Sequence, residues 1–286
     1  MTEMKGKICI VTGSNSGVGK ETALALAKMN ATVVMVVRNR ERGEKTRAEI
    51  LRETGNEAAR VMICDMSSMG SVRQFGKEFK DAYHRLDVLV NNAGVFLSKR
   101  QTTVDGFEET LAVNYLAPFL LTHELLPLLK SSVPSRVVNV GSGLSSSGKI
   151  AFDDLQYEKN YSGMKAYANS KLMLTMYTYE LARRLMGSGV TANVVEPGFV
   201  ATNLGRNSGS LLLSLGYKMM RPFQLSAKRG AEPSVYLASE PEVEGLTGKC
   251  FARMQEKKTI PISYDQQLQA RLWDTTMELL GLTQIH

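Results

Sequence analysis

An open, doubly wound parallel sheet flanked by helices is the architecture that this 286-residue sequence predicts. Three observations lead there. Short apolar runs alternate with longer segments of helical period through most of the chain. The runs are apolar throughout, as strands buried on both faces must be, rather than alternating with polar residues. No Pro- or Ser-rich linker and no repeat of fixed period divides them, so residues 1–286 read as one domain. A cofactor half would cover about 1–140, and a catalytic and substrate half about 141–286.

The elements follow in order. Lys7–Val11 is the first strand, followed by a glycine-rich turn and a helix over Lys20–Met29. Thr32–Val37 is the second strand, before the charged helix Glu41–Arg52. Ala59–Cys64 and a helix near Ser71–Ala82 come next. Asp87–Asn91 then leads into a long helical segment ending near Leu129. Arg136–Val140 is the fifth strand, Tyr167–Leu185 a helix, and Val190–Val195 the sixth strand. Repeated strand–helix–strand order builds right-handed parallel units. Phe199–Ser226, rich in Leu, Met and Gly, breaks the rhythm, and a last helix spans about Asp265–Leu280.

Composition narrows the class. Hydrophobic residues at 43% and charged residues at 22% are those of an ordinary soluble protein, not of a disordered, collagenous or disulfide-built chain. The net charge of +7 is spread along the sequence without a basic cluster, which argues against a nucleic-acid partner. Cys9, Cys64 and Cys250 are odd in number and lack metal spacing. They read as small buried hydrophobes in a reducing compartment. His84, His123 and His286 form no ligand pattern, so no metal is expected. The N-terminal residues lead straight into a strand without the apolar segment of a signal peptide. The run Leu116–Leu129, broken by His123 and Glu124, falls short of the roughly 20 residues of a spanning helix. The expectation is a cytoplasmic protein without a transmembrane segment.

Thr12-Gly13-Ser14-Asn15-Ser16-Gly17-Val18-Gly19 lies between the first strand and the first helix. Glycines there let backbone approach a pyrophosphate, and the helix N-terminus offers free N–H donors. The second strand ends Val36-Val37-Arg38-Asn39-Arg40, with no carboxylate before Glu41. An acid at that place would favour an adenosine 2′-hydroxyl, whereas a guanidinium favours a 2′-phosphate, hence NADP(H). Asp65, after the third strand, is placed either for the adenine amino group or as the cap of a helix starting near Ser67.

Tyr167 and Lys171 stand four residues apart, on one face of a helix. An ammonium beside a phenol favours the phenolate. Moving a tyrosine from about 10 to about 7 takes roughly 4 kcal/mol, and a nicotinamide cation would contribute. A tyrosine so tuned can exchange a proton with a carbonyl or alcohol oxygen near neutral pH. Ser142 follows the fifth strand at the carboxyl edge, where open α/β sheets bind ligands, and could hold the substrate oxygen. Asn91-Asn92-Ala93-Gly94 ends the fourth strand at the same edge, and Asn114 lies in the next helix.

Taken together, Thr12–Gly19, Asn91–Gly94, Asn114, Ser142, Tyr167-x3-Lys171 and Pro197-Gly198 with Thr202 resemble the short-chain dehydrogenase/reductase family, in family order over about residues 5–255. The resemblance implies a Rossmann-type fold with Tyr167 as the catalytic acid/base. Lys171 would lower its pKa and hold the nicotinamide ribose, Ser142 would orient substrate, and Asn114 would anchor a relay water. It further implies cofactor contacts from Gly13 to Gly19, Arg38, Asp65, Met66, Asn91, Ala93, Gly94, Pro197, Gly198, Val200 and Thr202.

Several stretches are similar to the retinol dehydrogenase-like branch. They are Arg38-Asn39-x-Glu41-Arg42-Gly43-Glu44, Gly148-Lys149-Ile150-x-Phe152-x-x-Leu155-Gln156, Leu181–Leu185, Ala201–Leu204 and Leu272-Trp273, together with the 25-residue gap from Ser142 to Tyr167. That branch implies NADP(H) and an apolar aldehyde or ketone interconverted with its alcohol. A steroid, quinone or tetrapyrrole is the alternative substrate, and a non-catalytic nucleotide sensor the alternative from another class. The Leu- and Met-rich stretch Leu211–Phe223 reads as a lid over an apolar substrate, as core packing or as a peripheral membrane contact. A homo-oligomer is compatible with the family.

Overall fold

The computed structural model describes residues 2–200 and 224–283. Residues 201–223 of the lid-like segment, with Thr202, lie outside the described residues. Among the described residues eight strands form one sheet: β1 Ile8–Thr12, β2 Thr32–Val37, β3 Arg60–Ile63, β4 Val88–Asn91, β5 Ser135–Val140, β6 Val190–Glu196, β7 Cys250–Ala252 and β8 Gln255–Glu256. Their order is β3-β2-β1-β4-β5-β6-β7-β8, parallel as far as β7, with β8 antiparallel at the edge. The order reverses between β1 and β4, which opens a crevice above the carboxyl ends of those strands.

The helices named below are α1 Gly17–Lys28, α2 Arg40–Thr54, α3 Met69–Ala82, α4 Glu109–Ser131, α5 Gly163–Arg184, α6 Ala227–Ser239 and α7 Gln266–Leu279. Strand side chains alternate between two cores. Ile10, Val34 and Leu89 pack with Phe75, Leu116, Leu120 and Trp273 of α3, α4 and α7. Cys9, Val11, Val33 and Val90 pack on the other face with Leu26, Ile50 and Leu237 of α1, α2 and α6. Burial on both faces is the reason these strands carry no polar alternation.

Three features depart from the sequence reading. The short β7 and β8 and the helix α6 extend the expected six-strand pattern. Helix α5 begins at Gly163, one turn before Tyr167. A Cβ on Gly163 would stand 2.0 Å from the Leu97 carbonyl oxygen, so only glycine lets that turn close. Helix α4 is 23 residues long, enough by length to cross a bilayer, unlike the run Leu116–Leu129 taken alone. Yet 78% of its apolar window is buried, between the sheet and its neighbouring helices. The three cysteines are free and buried, and burial pushes the Cys64 and Cys250 thiols up to about 12.

At the amino edge, opposite the crevice, Asp87 fastens the start of β1 to that of β4. Its buried carboxylate accepts from the Ile8 N–H at 2.9 Å, Lys7 Nζ at 3.1 Å and Arg85 Nη2 at 2.6 Å. Burial alone would raise this carboxyl, but the three donors outweigh it and hold it below the ordinary carboxylate value. A depressed acid stabilises the fold above its unfolded pKa and loses that contribution as pH falls through the folded one. Asp87→Asn should therefore lower stability by about 2 kcal/mol at pH 7 in urea unfolding, a difference that shrinks below pH 4. A constant difference down to pH 2 would contradict this.

Candidate active site

The crevice is built first by backbone approaching backbone. Gly13 and Gly17 hold φ of 66° and 58°, in the left-handed region open to glycine. A Cβ on Gly19 would lie 2.4 Å from Asn92 Nδ2 and 2.6 Å from the Gly13 carbonyl oxygen. Thr12 Oγ1 accepts from the N–H groups of Asn92 and Ala93, both at 2.9 Å, and Asn92 Nδ2 donates to the Thr12 carbonyl at 2.7 Å. The turn after β1 is thereby stitched to the turn after β4. Thr46 of α2 donates to the Asn15 carbonyl and steadies the loop from outside. Ser16 starts α1 without a side-chain cap, so the first helical turn keeps its N–H donors. Ser14 Oγ is buried without a partner in the same loop. A glycine cradle, helix donors and an orphaned hydroxyl fit a dinucleotide phosphate. Val18 and Val200 pack together with Ala231 and bring the end of β6 against α1.

The far end of the crevice lies at β2 and β3. Arg38 is exposed one residue beyond β2. Strand pairing of Val37 with Ile63 brings it beside the start of the turn carrying Asp65. Asp65 is not the helix cap: Ser68 caps α3, while Asp65 Oδ1 accepts from the Ser67 N–H and hydroxyl. Met66 is buried in the core against Cys64, which leaves its backbone as the part open to a ligand. The sequence reading missed Glu109. This half-buried acid at the start of α4 is pushed up by burial, and the Arg38 charge opposes that shift.

The Asn91 side chain points away from the crevice. Its Nδ2 donates to Asn139 Oδ1 at 2.8 Å and Thr122 Oγ1 at 3.2 Å, and Asn139 donates to Thr178. This buried ladder rivets β4 and β5 to α4 and α5; it commits the Asn91 Nδ2, while Oδ1 is buried without a partner. Asn114 is likewise committed. Its Oδ1 accepts from the Val95 N–H at 2.8 Å, and its Nδ2 donates to the Val95 carbonyl and to Ser170 Oγ, each at 3.0 Å. It stands in a π-helical turn, Ala112–Leu116, a departure from α geometry that is frequent at functional sites. Any water Asn114 holds would meet its backbone.

Tyr167 and Lys171 are both buried, on successive turns of α5. Lys171 Nζ donates to the Val140 carbonyl at 2.7 Å and lies 5.9 Å from the Tyr167 ring centre. That carbonyl ends β5, two residues before Ser142, so the lysine ties the tyrosine's helix to the serine's turn. Ser142 is half-buried, and its hydroxyl accepts from the Leu144 N–H at the head of a short 3-10 helix, Gly143–Ser147. A Cβ on Gly94 would lie 3.6 Å from Lys171 Nζ and 3.3 Å from Asn114 Oδ1, which places that turn over the pair. Phe96 meets the Tyr167 ring edge-on at 5.7 Å. Asn169, also missed in the sequence, accepts from the Lys149 N–H at 2.7 Å and donates to Tyr157 Oη at 2.5 Å. It fastens the stretch between Ser142 and Tyr167 onto α5. Pro197 and Gly198 follow β6 directly at the same carboxyl edge, with Gly198 at φ 83°.

Residues 7–211 match the family model for short chain dehydrogenase. The chain belongs to the short-chain dehydrogenase/reductase family. It is 41% identical to retinol dehydrogenase 13 of Mus musculus, over 98% of this chain and 86% of that protein. It is 42% identical to retinol dehydrogenase 14 of Homo sapiens, over 98% and 88%. Among solved structures, an uncharacterized protein from Mycobacterium Paratuberculosis superposes with a TM-score of 0.81 at 31% identity, over 99% of this chain and 96% of that one. The Pseudomonas aeruginosa RhlG/NADP active-site complex gives 0.70 at 25% identity, over 87% and 95%. This family member is accordingly an oxidoreductase of alcohol and carbonyl groups, in a family that uses NAD(P)(H).

Burial brings the Lys171 ammonium down from its ordinary 10.5 to about 8. The folded state thus resists protonation: below pH 8 the buried charge costs stability, and between 8 and 10.5 that cost fades as the unfolded chain holds the proton instead. Lys171→Met should be more stable than the parent at pH 7, by up to about 3 kcal/mol, with the difference vanishing above pH 10. A variant less stable at pH 7 would contradict the burial cost.

Proposed function

We propose that the chain is an NADP(H)-dependent oxidoreductase that interconverts an apolar aldehyde or ketone and its alcohol, with Tyr167 as acid/base. The observation that carries the reading is the Tyr167–Lys171 pair, buried and tied through the Val140 carbonyl to the strand end that presents Ser142. When bound, the dinucleotide supplies or accepts the hydride. The Ser142 hydroxyl donates to the substrate oxygen and orients it. Tyr167 passes its hydroxyl proton to that oxygen in reduction and takes it back in oxidation. Lys171, charged below about pH 8, favours the phenolate that this transfer leaves behind. Gly13 to Gly19 would hold the phosphates of the bound dinucleotide.

Arg38 supports NADP(H) over NAD(H): it stands exposed where β2 ends, with no carboxylate in the chain until Glu41. The apolar substrate is supported by Phe96 against the Tyr167 ring. Exposed Leu144 and Met164 add to it, two residues from Ser142 and three from Tyr167. The retinol dehydrogenases among the relatives point to the same class, with retinoids as its first members to test. A cytoplasmic setting belongs to this reading and agrees with three buried free thiols.

Loss of NADPH absorbance against a panel of retinal, medium-chain aldehydes and steroid or quinone ketones tests it. Turnover should appear with apolar carbonyls. Tyr167→Phe should lower kcat by roughly 10³-fold or more and leave the NADPH Kd within about threefold. Unchanged turnover would remove Tyr167 from the chemistry. Arg38→Asp should raise KM for NADPH at least about tenfold and hardly move that for NADH. Equal losses for both would place Arg38 away from the 2′-phosphate.

A further inference from the structure

Glu196, the last residue of β6, is a carboxylate with only 8% of its surface exposed, directly before Pro197-Gly198. Such a charge needs a partner. It has one in Lys257, whose Nζ lies 2.5 Å from Oε2. The same oxygen stands 3.5 Å from the place where a Cβ on Gly143 would be, beneath the turn that presents Ser142. The carboxylate at the end of β6 is therefore paired with the segment after β8 and lies close to the turn after β5.

The β7–β8 hairpin brings Lys257 to this edge. Ala252 pairs with Glu196 across the sheet. The reversal at Arg253 and Met254, at φ 52° and 61°, puts two non-glycine residues in the left-handed region usually filled by Asn-Gly. The Lys257 N–H donates to the Cys250 carbonyl at 2.8 Å. Asn193 clips the approach to β7 onto β6, accepting from the Lys249 N–H at 3.0 Å and donating to the Leu246 carbonyl at 2.7 Å. The hairpin is thus held on β6 at both ends, and its strained turn returns the chain so that a cation meets Glu196.

We propose that Glu196 and Lys257 are positioning residues for the reaction assigned above, fixing the Ser142 turn and the Pro197-Gly198 loop relative to each other. Removing the cation leaves a nearly buried carboxylate unpaired. Glu196 then turns toward water, and the two pieces of backbone it spans lose their common support. A shift of that kind near reacting groups is felt in kcat more than in substrate binding.

The test uses Lys257→Met, Glu196→Ala and the exchanged pair E196K/K257E in the full chain. Lys257 is half exposed, so its replacement should fold even if Glu196→Ala does not. Both single variants should lower kcat about tenfold and change KM for the aldehyde less than twofold. Amide hydrogen exchange at residues 142–144 and 198–200 of the cofactor-free protein should quicken at least about tenfold. The exchanged pair should return kcat to within about threefold of the parent. Single variants within twofold of the parent, unchanged exchange, or an exchanged pair as impaired as the singles would overturn the proposal. The exchange readout needs no turnover, so with a parent inactive on every carbonyl the proposed reaction would fall while quickened or unchanged exchange would still support or overturn the positioning role.

Discussion

The site depends on one unfavourable act, the burial of the Lys171 ammonium. A lysine charge is kept out of water with a hydrogen bond to the Val140 carbonyl, and its pKa falls to about 8 as a result. The surrounding chain is arranged around that charge. Helix α5 puts Tyr167 one turn away, β5 ends where the ammonium can reach it, and the Gly94 turn passes so close that a Cβ there would stand 3.3 Å from Asn114 Oδ1. Asn114 pins Val95 and Ser170 alongside, from a turn of α4 that has left regular geometry. Stability is spent at this point and recovered in the two cores.

The sheet separates those tasks in space. Ion pairs and backbone bonds at the amino edge, centred on Asp87, hold β1 and β4 together far from the chemistry. At the carboxyl edge, the same two strands end in turns so close that Thr12, Asn92 and the glycines touch. A crevice lined by backbone donors results from strand order alone, and parallel strands place Ser142 and Pro197 beside it. The buried Asn91–Asn139 ladder carries that alignment from the strands to α4 and α5.

Much of this was legible in the sequence because the signals are local. Strands apolar on both faces announce themselves, and glycines between a strand and a helix, or a tyrosine four residues before a lysine, speak through spacing. Other features arise only between distant segments. Three residues of β7 and two of β8 are too short to show a period, and α6 carries Gly230 and Pro233, which read as breaks. Gly230 is required there because a Cβ would stand 2.5 Å from Val200. In a run without alternation nothing tells which face Asn91 takes, so its inward turn was hidden. Asn169, Glu109 and Lys257 gain their meaning from partners tens of residues away.

The most direct test of the account is the titration of Lys171 itself. Its ε-ammonium should be followed by NMR in the cofactor-free protein, with isotope-labelled lysine and Lys171→Met to assign the signal. The midpoint should lie near 8. A midpoint near 10.5 would mean that the ammonium is solvated, and that the buried cation on which this description of the site rests does not exist.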